Sequence, residues 1–286
     1  MSVAVLSGKT AIVTGGAGGI GRVLVRALIE AGARVAILDA DGGGLEHFAR
    51  ALDDDGHEAA TLAVRMDVSD PDDCAASVAR TRERFGAIHI LINNAALGMG
   101  VVRTNHITDP VRIDEITPEI WQRVAAVNFS GPFYMTRAAA PHFLARGWGR
   151  VINITTSFFT MLRGSYAPYG PCKAGLEAWS AGLAKEFAGQ GITVNVVVPG
   201  GPTDTPMVPP VSGFDRAALI RPEAMAPPIL WLCSSAADQI TGARIVAAKW
   251  DPALEPEAAA AVALAPSGWP DLARDPVWPG GRPEDG

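Results

Sequence analysis

Short runs of apolar residues, rich in valine and isoleucine, recur along this chain and alternate with longer stretches of helical character. The runs span 10–15, 33–39, 62–68, 88–94, 149–155, 192–200 and, more weakly, 242–248. Nearly every residue in them is apolar, which is typical of strands covered on both faces. Helices are predicted between them at 19–31, 70–85, 118–145, 168–189 and 221–236. This alternation predicts an α/β fold with a doubly wound parallel sheet of about seven strands.

Composition is consistent with one large unit followed by an extension. The chain has 286 residues, of which 48% are hydrophobic and 19% charged, so a sizeable core is available. We predict one domain over 1–250 and an extension over 251–286 that is rich in proline and alanine, with a helix near 255–265. Trp250, Trp269 and Trp278 lie in or beside the extension. We expect part of it to dock on its own domain or on a neighbouring subunit; a floppy extension is the alternative.

Charge and cysteine usage exclude several classes of partner. The net charge is −6 and the basic residues are scattered, which argues against nucleic acid or an anionic membrane as a partner. We see no signal peptide and no run of about 18 apolar residues. Three widely spaced cysteines form neither a disulfide framework nor a metal-binding pattern: Cys74, Cys172 and Cys233. We therefore expect a soluble cytoplasmic protein without a bound metal.

A glycine-rich segment, TGGAGGIG, follows the first predicted strand directly and leads into a helix. Gly15, Gly19 and Gly21 let the backbone turn sharply and approach a pyrophosphate at the helix N-terminus. A glycine-rich turn alone is weak evidence, because many strand-to-helix turns need glycine. Its place at the first strand-to-helix turn favours a dinucleotide site.

An acidic residue ends the second predicted strand. Asp39 follows Gly21 by 18 residues. A carboxylate there accepts hydrogen bonds from the hydroxyls of an adenosine ribose and repels a 2′-phosphate. No lysine or arginine lies inside the glycine segment or just after Asp39, so the pattern favours NAD over NADP. Asp67, at the end of the third strand, is a weaker candidate for an adenine contact because several alternative helix caps follow it.

Several motifs in order along the chain resemble the short-chain dehydrogenase/reductases. They are TGGAGGIG, then Asp39, NNAA at 93–96, VNFSGPF at 127–133, INITTS at 152–157, YGPCK at 169–173 and VVPGGPTDTPM at 197–207. The likeness covers roughly residues 7–248 and fits the single-domain, NAD-type form. It implies a Rossmann-type fold and a homo-oligomer, a dimer or tetramer, formed through the long helices near 118–145 and 168–189.

The resemblance also implies roles for individual residues. Tyr169 would be the acid/base group, Lys173 would bind the nicotinamide ribose and lower the tyrosine pKa, and Asn128 would hold a water in a proton relay. The implied cofactor contacts are Gly15, Gly19, Ile20, Gly21, Asp39, Asp67, Val68, Asn94, Ala95, Tyr169, Lys173, Pro199, Gly200 and Thr205.

This sequence departs from the family pattern in two places that matter for the chemistry. The usual serine, thirteen residues before the tyrosine, is Thr156, and Ser157 follows it. Either Thr156 supplies the active-site hydroxyl, or a small loop shift presents Ser157. An extra residue in PGGPTDTP also makes Thr203 a rival to Thr205.

The chemistry suits hydride transfer at carbon, which requires a proton to move on or off the neighbouring oxygen. A free tyrosine has a pKa of about 10, and a nearby cation favours its ionised form. Tyr169 and Lys173 are four residues apart, so a helix places them on one face. We predict an NAD-dependent oxidoreductase acting on a secondary alcohol or ketone substrate. The alternatives are a 3-oxoacyl-carrier reductase and a non-catalytic NAD(H)-sensing protein.

Overall fold

The computed structural model describes residues 5–273. One sheet of eight strands runs through it in the order β3-β2-β1-β4-β5-β6-β7-β8. Its strands are β1 Thr10–Thr14, β2 Arg34–Asp39, β3 Thr61–Arg65, β4 Ile90–Asn93, β5 Gly149–Ile154, β6 Ile192–Val198, β7 Ala243–Val246 and β8 Leu264–Pro266. The first seven are parallel and β8 is antiparallel to β7. The doubly wound α/β fold is confirmed, with one strand more than the seven predicted.

Nine α-helices in the described residues connect the strands and cover the sheet. They are α1 Gly19–Glu30, α2 Gly42–Asp54, α3 Pro71–Phe85, α4 Pro118–Ala125, α5 Gly131–Arg146, α6 Phe158–Leu162, α7 Tyr169–Glu186, α8 Ala226–Cys233 and α9 Pro256–Ala263. Two apolar clusters of buried side chains fill the space between the sheet and its helices. A π-helical turn, Ala126–Ser130, joins α4 to α5.

Helix α2 was absent from the sequence prediction. Its first three residues are Gly42, Gly43 and Gly44, which disfavour helix and hide the start of the pattern. The Asp41 side chain compensates by accepting a hydrogen bond of 3.1 Å from the backbone of Gly44. Three buried side chains then hold the helix against the sheet: Leu45, Phe48 and Leu52.

The described part of the extension packs against the domain. Helix α9 buries Ala259, Ala260 and Ala263, and β8 pairs with β7 so that Ala265 lies opposite Arg244. Trp250 contacts Trp231 with 5.6 Å between ring centroids. Trp278 lies outside the described residues, and the predicted boundary near residue 250 stays a prediction.

The parallel strands set the position of the site. Because their carboxyl ends meet at one edge of the sheet, the segments that follow β1, β2, β4, β5 and β6 converge there. These segments carry the motifs singled out above. The prediction that they lie together can therefore be checked against their contacts.

Candidate active site

The glycine segment touches two other motifs at very short range. A Cβ on Gly15, whose φ is +61°, would lie 2.8 Å from Ala95 Cα, and one on Gly19 would lie 2.7 Å from Thr205 Cγ2. A Cβ on Gly21 would meet the Gly15 carbonyl oxygen at 2.0 Å. A side chain at any of the three positions would collide with neighbouring atoms. The residues after β1, β4 and β6 thus form one compact surface.

The first turn of α1 has the features of an anion site. Among the described residues, no side chain caps this helix, and its first turn contains no acidic residue. The N–H groups at the helix start are therefore available to a negatively charged group. Ile20, in the same turn, packs partly buried against the core. The cradle of glycines before an uncapped helix fits a dinucleotide pyrophosphate.

Asp39 lies beside this turn. Its carboxylate accepts hydrogen bonds of 3.0 Å from the backbone of Ala17 and of Asp41, which hold it in place. Arg65 is its register partner on β3, and the Arg65 side chain passes over Gly42, where a Cβ would be 3.0 Å from Arg65 Cδ. Sequence reasoning missed this cation because it comes from another strand, 26 residues further along the chain.

Asp67 makes local hydrogen bonds, and Val68 packs in the core. The Asp67 carboxylate accepts hydrogen bonds of 2.9 Å from the backbone and 2.8 Å from the hydroxyl of Ser69. Val68 is buried, and a Cβ on Gly131 would lie 3.0 Å from it. These contacts neither support nor oppose a cofactor role, which stays a prediction.

The two asparagines fasten loops around the site. Asn94 donates hydrogen bonds of 3.0 Å to the carbonyl oxygens of Thr14 and Gly15, which ties β4 to the glycine segment. Asn128 is fully buried in the π-helical turn; it accepts from the Leu97 N–H at 2.7 Å and donates to the Leu97 carbonyl at 2.8 Å. The Asn128 side chain therefore fixes the start of the 97–119 connection, a role that the sequence did not suggest.

The tyrosine and lysine lie on one helix face, as their spacing predicts. Tyr169 is the first residue of α7, and the buried Lys173 follows one turn later. The Lys173 ammonium donates a hydrogen bond of 2.8 Å to the Ile154 carbonyl at the end of β5. The Thr156 side chain lies close enough to the Tyr169 hydroxyl to lower the tyrosine pKa.

The two candidate hydroxyls have separate environments. The Thr156 side chain is near enough to Tyr169 to lower the tyrosine pKa, whereas the Ser157 hydroxyl accepts a hydrogen bond of 3.2 Å from the Thr160 backbone and so caps α6. An N-terminal cap satisfies a helix N–H group that otherwise lacks a partner. The geometry therefore favours Thr156 over Ser157 as the hydroxyl that faces the tyrosine.

Burial controls both titrating groups. Loss of solvent raises the pKa of Tyr169 to about 12, although the hydrogen bond from Thr156 acts in the opposite direction. Loss of solvent lowers the pKa of Lys173 to about 8. From the sequence we expected Lys173 to lower the pKa of Tyr169, but the groups of the chain alone leave this pKa raised. Desolvation is the largest cause of both shifts, and it disfavours the charged form of each group.

The segment after β6 approaches the same surface. The Pro199 carbonyl accepts a hydrogen bond of 2.9 Å from the Ala248 backbone, and Gly200 has a φ of +108°. Thr205 packs against Gly19, as described above, whereas the Thr203 hydroxyl donates back to the Gly201 carbonyl at 3.2 Å. The contacts favour Thr205 over Thr203 as the threonine that faces the glycine segment.

Further along the chain, ion pairs stabilise the segment that follows β6. The Asp204 carboxylate pairs with Arg216 and Arg221, and Arg216 also donates to the Val208 carbonyl at 3.1 Å. The side chain of Asp204 is largely buried. Segment 204–221 is thereby closed into a loop beside the site.

The 97–119 connection packs on the loop that precedes Tyr169. The buried His106 ring meets Tyr166 edge-on, with 6.0 Å between centroids, and Arg103 pairs with Asp109 at 2.9 Å and with Glu115. A cavity of about 150 Å³ separates the two loops. Its lining residues are Val111, Arg112, Ile113, Ile116, Ser165 and Ala167. Tyr166 thus serves packing, which distinguishes it from Tyr169.

The rim of the site is apolar, with one distinctive cation. On α6, Phe159 is 73% and Leu162 80% exposed. The Arg163 guanidinium lies 4.7 Å from the Tyr166 ring centroid and 5.8 Å from that of Phe159. Within residues 5–273 Arg163 has no carboxylate partner, unlike Arg103 in the neighbouring connection.

Neither a metal cluster nor a helix able to span a membrane is present in the part of the chain that the structure describes. No group of three or more histidine, cysteine, aspartate or glutamate side chains is arranged to hold a metal ion there. None of the helices in that part combines the length and the apolar character that crossing a bilayer requires.

Comparison with known proteins gives consistent matches. A model of the family described as short chain dehydrogenase matches residues 9–214. The chain is 34% identical over 245 residues to cis-4-hydroxycyclohexanecarboxylate dehydrogenase of Sinomonas cyclohexanicum, covering 82% of this chain and 93% of that protein. It is 31% identical over 244 residues to 3-oxoacyl-[acyl-carrier-protein] reductase of Escherichia coli (strain K12), with coverage of 82% and 93%.

A solved structure agrees with these matches. The 3-ketoacyl-(acyl-carrier-protein) reductase from Brucella melitensis, complexed with NADH, superimposes with a TM-score of 0.71 at 30% sequence identity. The similarity covers 82% of this chain and 95% of that one.

Proposed function

Because this chain belongs to the short-chain dehydrogenase family and is an oxidoreductase that uses a nicotinamide cofactor, we propose that it oxidises a secondary alcohol with NAD. The observation that carries this proposal is the grouping of Tyr169, Lys173 and Thr156 at the carboxyl end of β5. In it, a proton acceptor, a cation and a hydroxyl donor lie at the same edge of the sheet as the glycine cradle. Tyr169 removes the proton of the alcohol oxygen, and the Thr156 hydroxyl supports the charge that develops there.

Lys173 makes this proton transfer possible near neutral pH. Because burial of the chain's own groups raises the pKa of Tyr169, we propose that the Lys173 ammonium favours the tyrosinate together with the positive charge of a bound oxidised nicotinamide. Its hydrogen bond to the Ile154 carbonyl orients it beside α7. A bound nicotinamide supplies the hydride acceptor; its ring would lie near Pro199, Gly200 and Thr205.

Asp39 is the basis for proposing NAD rather than NADP. Its carboxylate is held by two backbone N–H groups and remains close to the glycine cradle. A negative charge there attracts ribose hydroxyls and repels a 2′-phosphate. The neighbouring Arg65 opposes this selectivity, so the preference depends on the Asp39 charge.

For the substrate, we propose an apolar alicyclic alcohol that carries a carboxylate. Phe159 and Leu162 offer an apolar surface, and Arg163 offers a cation without a carboxylate partner in the described residues. The hydroxycyclohexanecarboxylate named for the Sinomonas relative combines these two chemical features.

The test is an NADH-absorbance assay on purified protein with 4-hydroxycyclohexanecarboxylate, its methyl ester, and unsubstituted cyclohexanol. The proposal expects turnover with NAD, a lower KM for the acid than for the ester, and loss of that difference in Arg163→Gln. Tyr169→Phe is the catalytic control, and it should abolish turnover while retaining NADH binding. Lack of turnover on any secondary alcohol or ketone would refute the proposal.

A 3-oxoacyl reductase is the second candidate. Its support is the similarity to the Escherichia coli and Brucella reductases. A reductase of this kind should reduce acetoacetyl-CoA at a higher kcat/KM than it oxidises any alcohol tested. Measuring both directions with both NADH and NADPH separates the two candidates.

We also propose a cytoplasmic homo-oligomer. All three cysteines are buried and free, which suits a reducing compartment. Phe129 is exposed on the π-helical turn, Phe133 on α5 and Trp121 on α4. Large apolar side chains on one helical face are typical of subunit contacts. Sedimentation of the wild type beside Phe133→Glu tests this proposal.

A further inference from the structure

A buried ion pair lies directly behind the candidate active site. Arg244 on β7 pairs with Glu177 on α7, and their side chains are 5% and 0% exposed. Removing two charges from water costs several kcal/mol per ion, so such a pair is a weak source of stability by itself. Its contacts indicate what else it does.

The pair holds the end of β5 at two adjacent residues. The Thr155 hydroxyl donates a hydrogen bond of 3.0 Å to the Glu177 carboxylate, and Arg244 donates one of 2.9 Å to the Thr156 carbonyl. Lys173 already binds the preceding carbonyl, that of Ile154. Three consecutive residues are therefore fixed by charged groups, and the third carries the hydroxyl that meets Tyr169.

A segment near the end of the described chain covers this pair. We define the C-terminal clamp as residues 267–269. The Ser267 backbone and hydroxyl each donate to the Gly242 carbonyl at 3.0 Å. The Gly268 N–H acts to lower the pKa of Glu177, against the rise that burial causes. Gly268 has a φ of +73°, and a Cβ there would lie 2.5 Å from Ala181 Cβ on α7. Only glycine allows so close an approach.

Trp269 connects the clamp to the segment after Thr156. Its ring lies 5.5 Å from that of Phe158, and the Arg244 guanidinium lies 4.1 Å from the same Phe158 ring. Phe158 is the first residue of α6 and follows Ser157 directly. Thr156 is thus held from the ion pair through its carbonyl, and from the clamp through Phe158.

From these contacts we infer that Glu177, Arg244 and the C-terminal clamp are positioning residues, which set the Thr156 hydroxyl against Tyr169. The inference rests on the proposed function of Thr156 and Tyr169. Arg244 and the clamp lie beyond residues 9–214, the part matched by the family model. On this inference, the clamp residues of the extension help to hold Thr156 in place.

Gly268→Ala in the full chain tests the inference, because it inserts one methyl group at the closest approach of clamp and α7. Gly189→Ala is the matched control: Gly189 has a φ of +75°, but a Cβ there meets nothing within 4 Å. Gly268→Ala should lower kcat at least tenfold and leave the NADH dissociation constant within twofold of the wild type. The control should leave both values unchanged.

A size exchange provides the rescue. In Gly268→Ala with Ala181→Gly, the atom that the new methyl group would strike is removed, so kcat should recover severalfold. A merely structural role would instead lower kcat, NADH affinity and the folded fraction together, and the size exchange would restore all three together. If Gly268→Ala does not fold, Trp269→Ala provides the same comparison because it removes the Phe158 contact without adding atoms.

A crystal structure of Gly268→Ala measures the distance between the Thr156 and Tyr169 hydroxyls directly, without relying on turnover. The inference expects the distance between the Thr156 and Tyr169 hydroxyls to be longer than in the wild type. An unchanged distance together with an unchanged kcat would overturn the inference while leaving the proposed function intact. If the wild type itself lacks turnover, the proposed function fails, and the hydroxyl separation alone then decides the inference.

Discussion

Exchanging the two neighbouring hydroxyls separates catalysis from helix capping. Thr156→Val keeps the shape of the side chain and removes the oxygen that lowers the pKa of Tyr169. Ser157→Ala removes the oxygen that caps α6 through the Thr160 backbone. The two variants delete one oxygen each, at adjacent positions, and the structure predicts opposite consequences for them.

The expected magnitudes follow from these contacts. Losing one donor to a developing oxyanion lowers kcat by about 100- to 1000-fold, so Thr156→Val should fall in that range. Losing an N-cap costs about 1 kcal/mol of stability, so Ser157→Ala should lower Tm by about 2–4 °C and leave kcat within about twofold. The Thr156 side chain lowers the pKa of Tyr169 in the wild type, and Thr156→Val loses this effect. The variant should therefore also shift the pH profile of alcohol oxidation to higher pH.

The assay combines steady-state kinetics across pH with thermal unfolding of the same preparations. Thr156→Ser is the conservative control, since it retains a hydroxyl, and it should keep most of the activity. The reasoning is refuted if Ser157→Ala loses activity a hundredfold while Thr156→Val does not. In that case, a loop shift presents Ser157 to the substrate.

Three further predictions concern the cofactor, the lysine and the substrate loop. Asp39→Ala should raise kcat/KM for NADP by about 10- to 100-fold, because a contact from Arg65 to a phosphate is worth about 1.5–3 kcal/mol; the gain should disappear when Arg65→Ala is added. Burial lowers the pKa of Lys173 from 10.5 to about 8. Between pH 8 and pH 10.5 the unfolded chain therefore binds more protons than the folded chain, and the free energy of unfolding should rise by about 3 kcal/mol across this pH range. Urea unfolding of Lys173→Met at pH 8 and pH 10.5 should lack this rise. Asp204→Asn, which loosens the ion cluster with the two arginines, should raise KM for the alcohol severalfold and leave the NADH dissociation constant unchanged; a fall in kcat alone would contradict this role.

The sequence predicted the sheet well because parallel strands leave a strong local signal. Strand β6, for example, is buried at every position and apolar at all but Thr193 and Asn195, and this pattern can be recognised without knowledge of its neighbours. Helix α2 and strand β8 were missed for physical reasons. Three glycines conceal the start of α2, and β8 is only three residues long, so its identity depends on pairing with β7.

At the site, motif spacing predicted which residues converge but not how their side chains share the available contacts. The spacing of Tyr169 and Lys173 follows from one helix, so it could be read locally. The roles of Thr156 and Ser157 depend on what lies opposite each hydroxyl, which spacing does not encode. Arg65 was overlooked because a cation delivered by an adjacent strand lies far from Asp39 in sequence.

The short strand β8 also affects the behaviour of the protein in solution. It occupies the edge of the sheet beside β7, and its last residue, Pro266, has no N–H group to offer an incoming strand. An edge that ends in proline discourages the sheets of two copies from joining. A chain shortened to residue 263 would expose the row of backbone groups on β7, and we expect such a chain to be prone to aggregate through that edge.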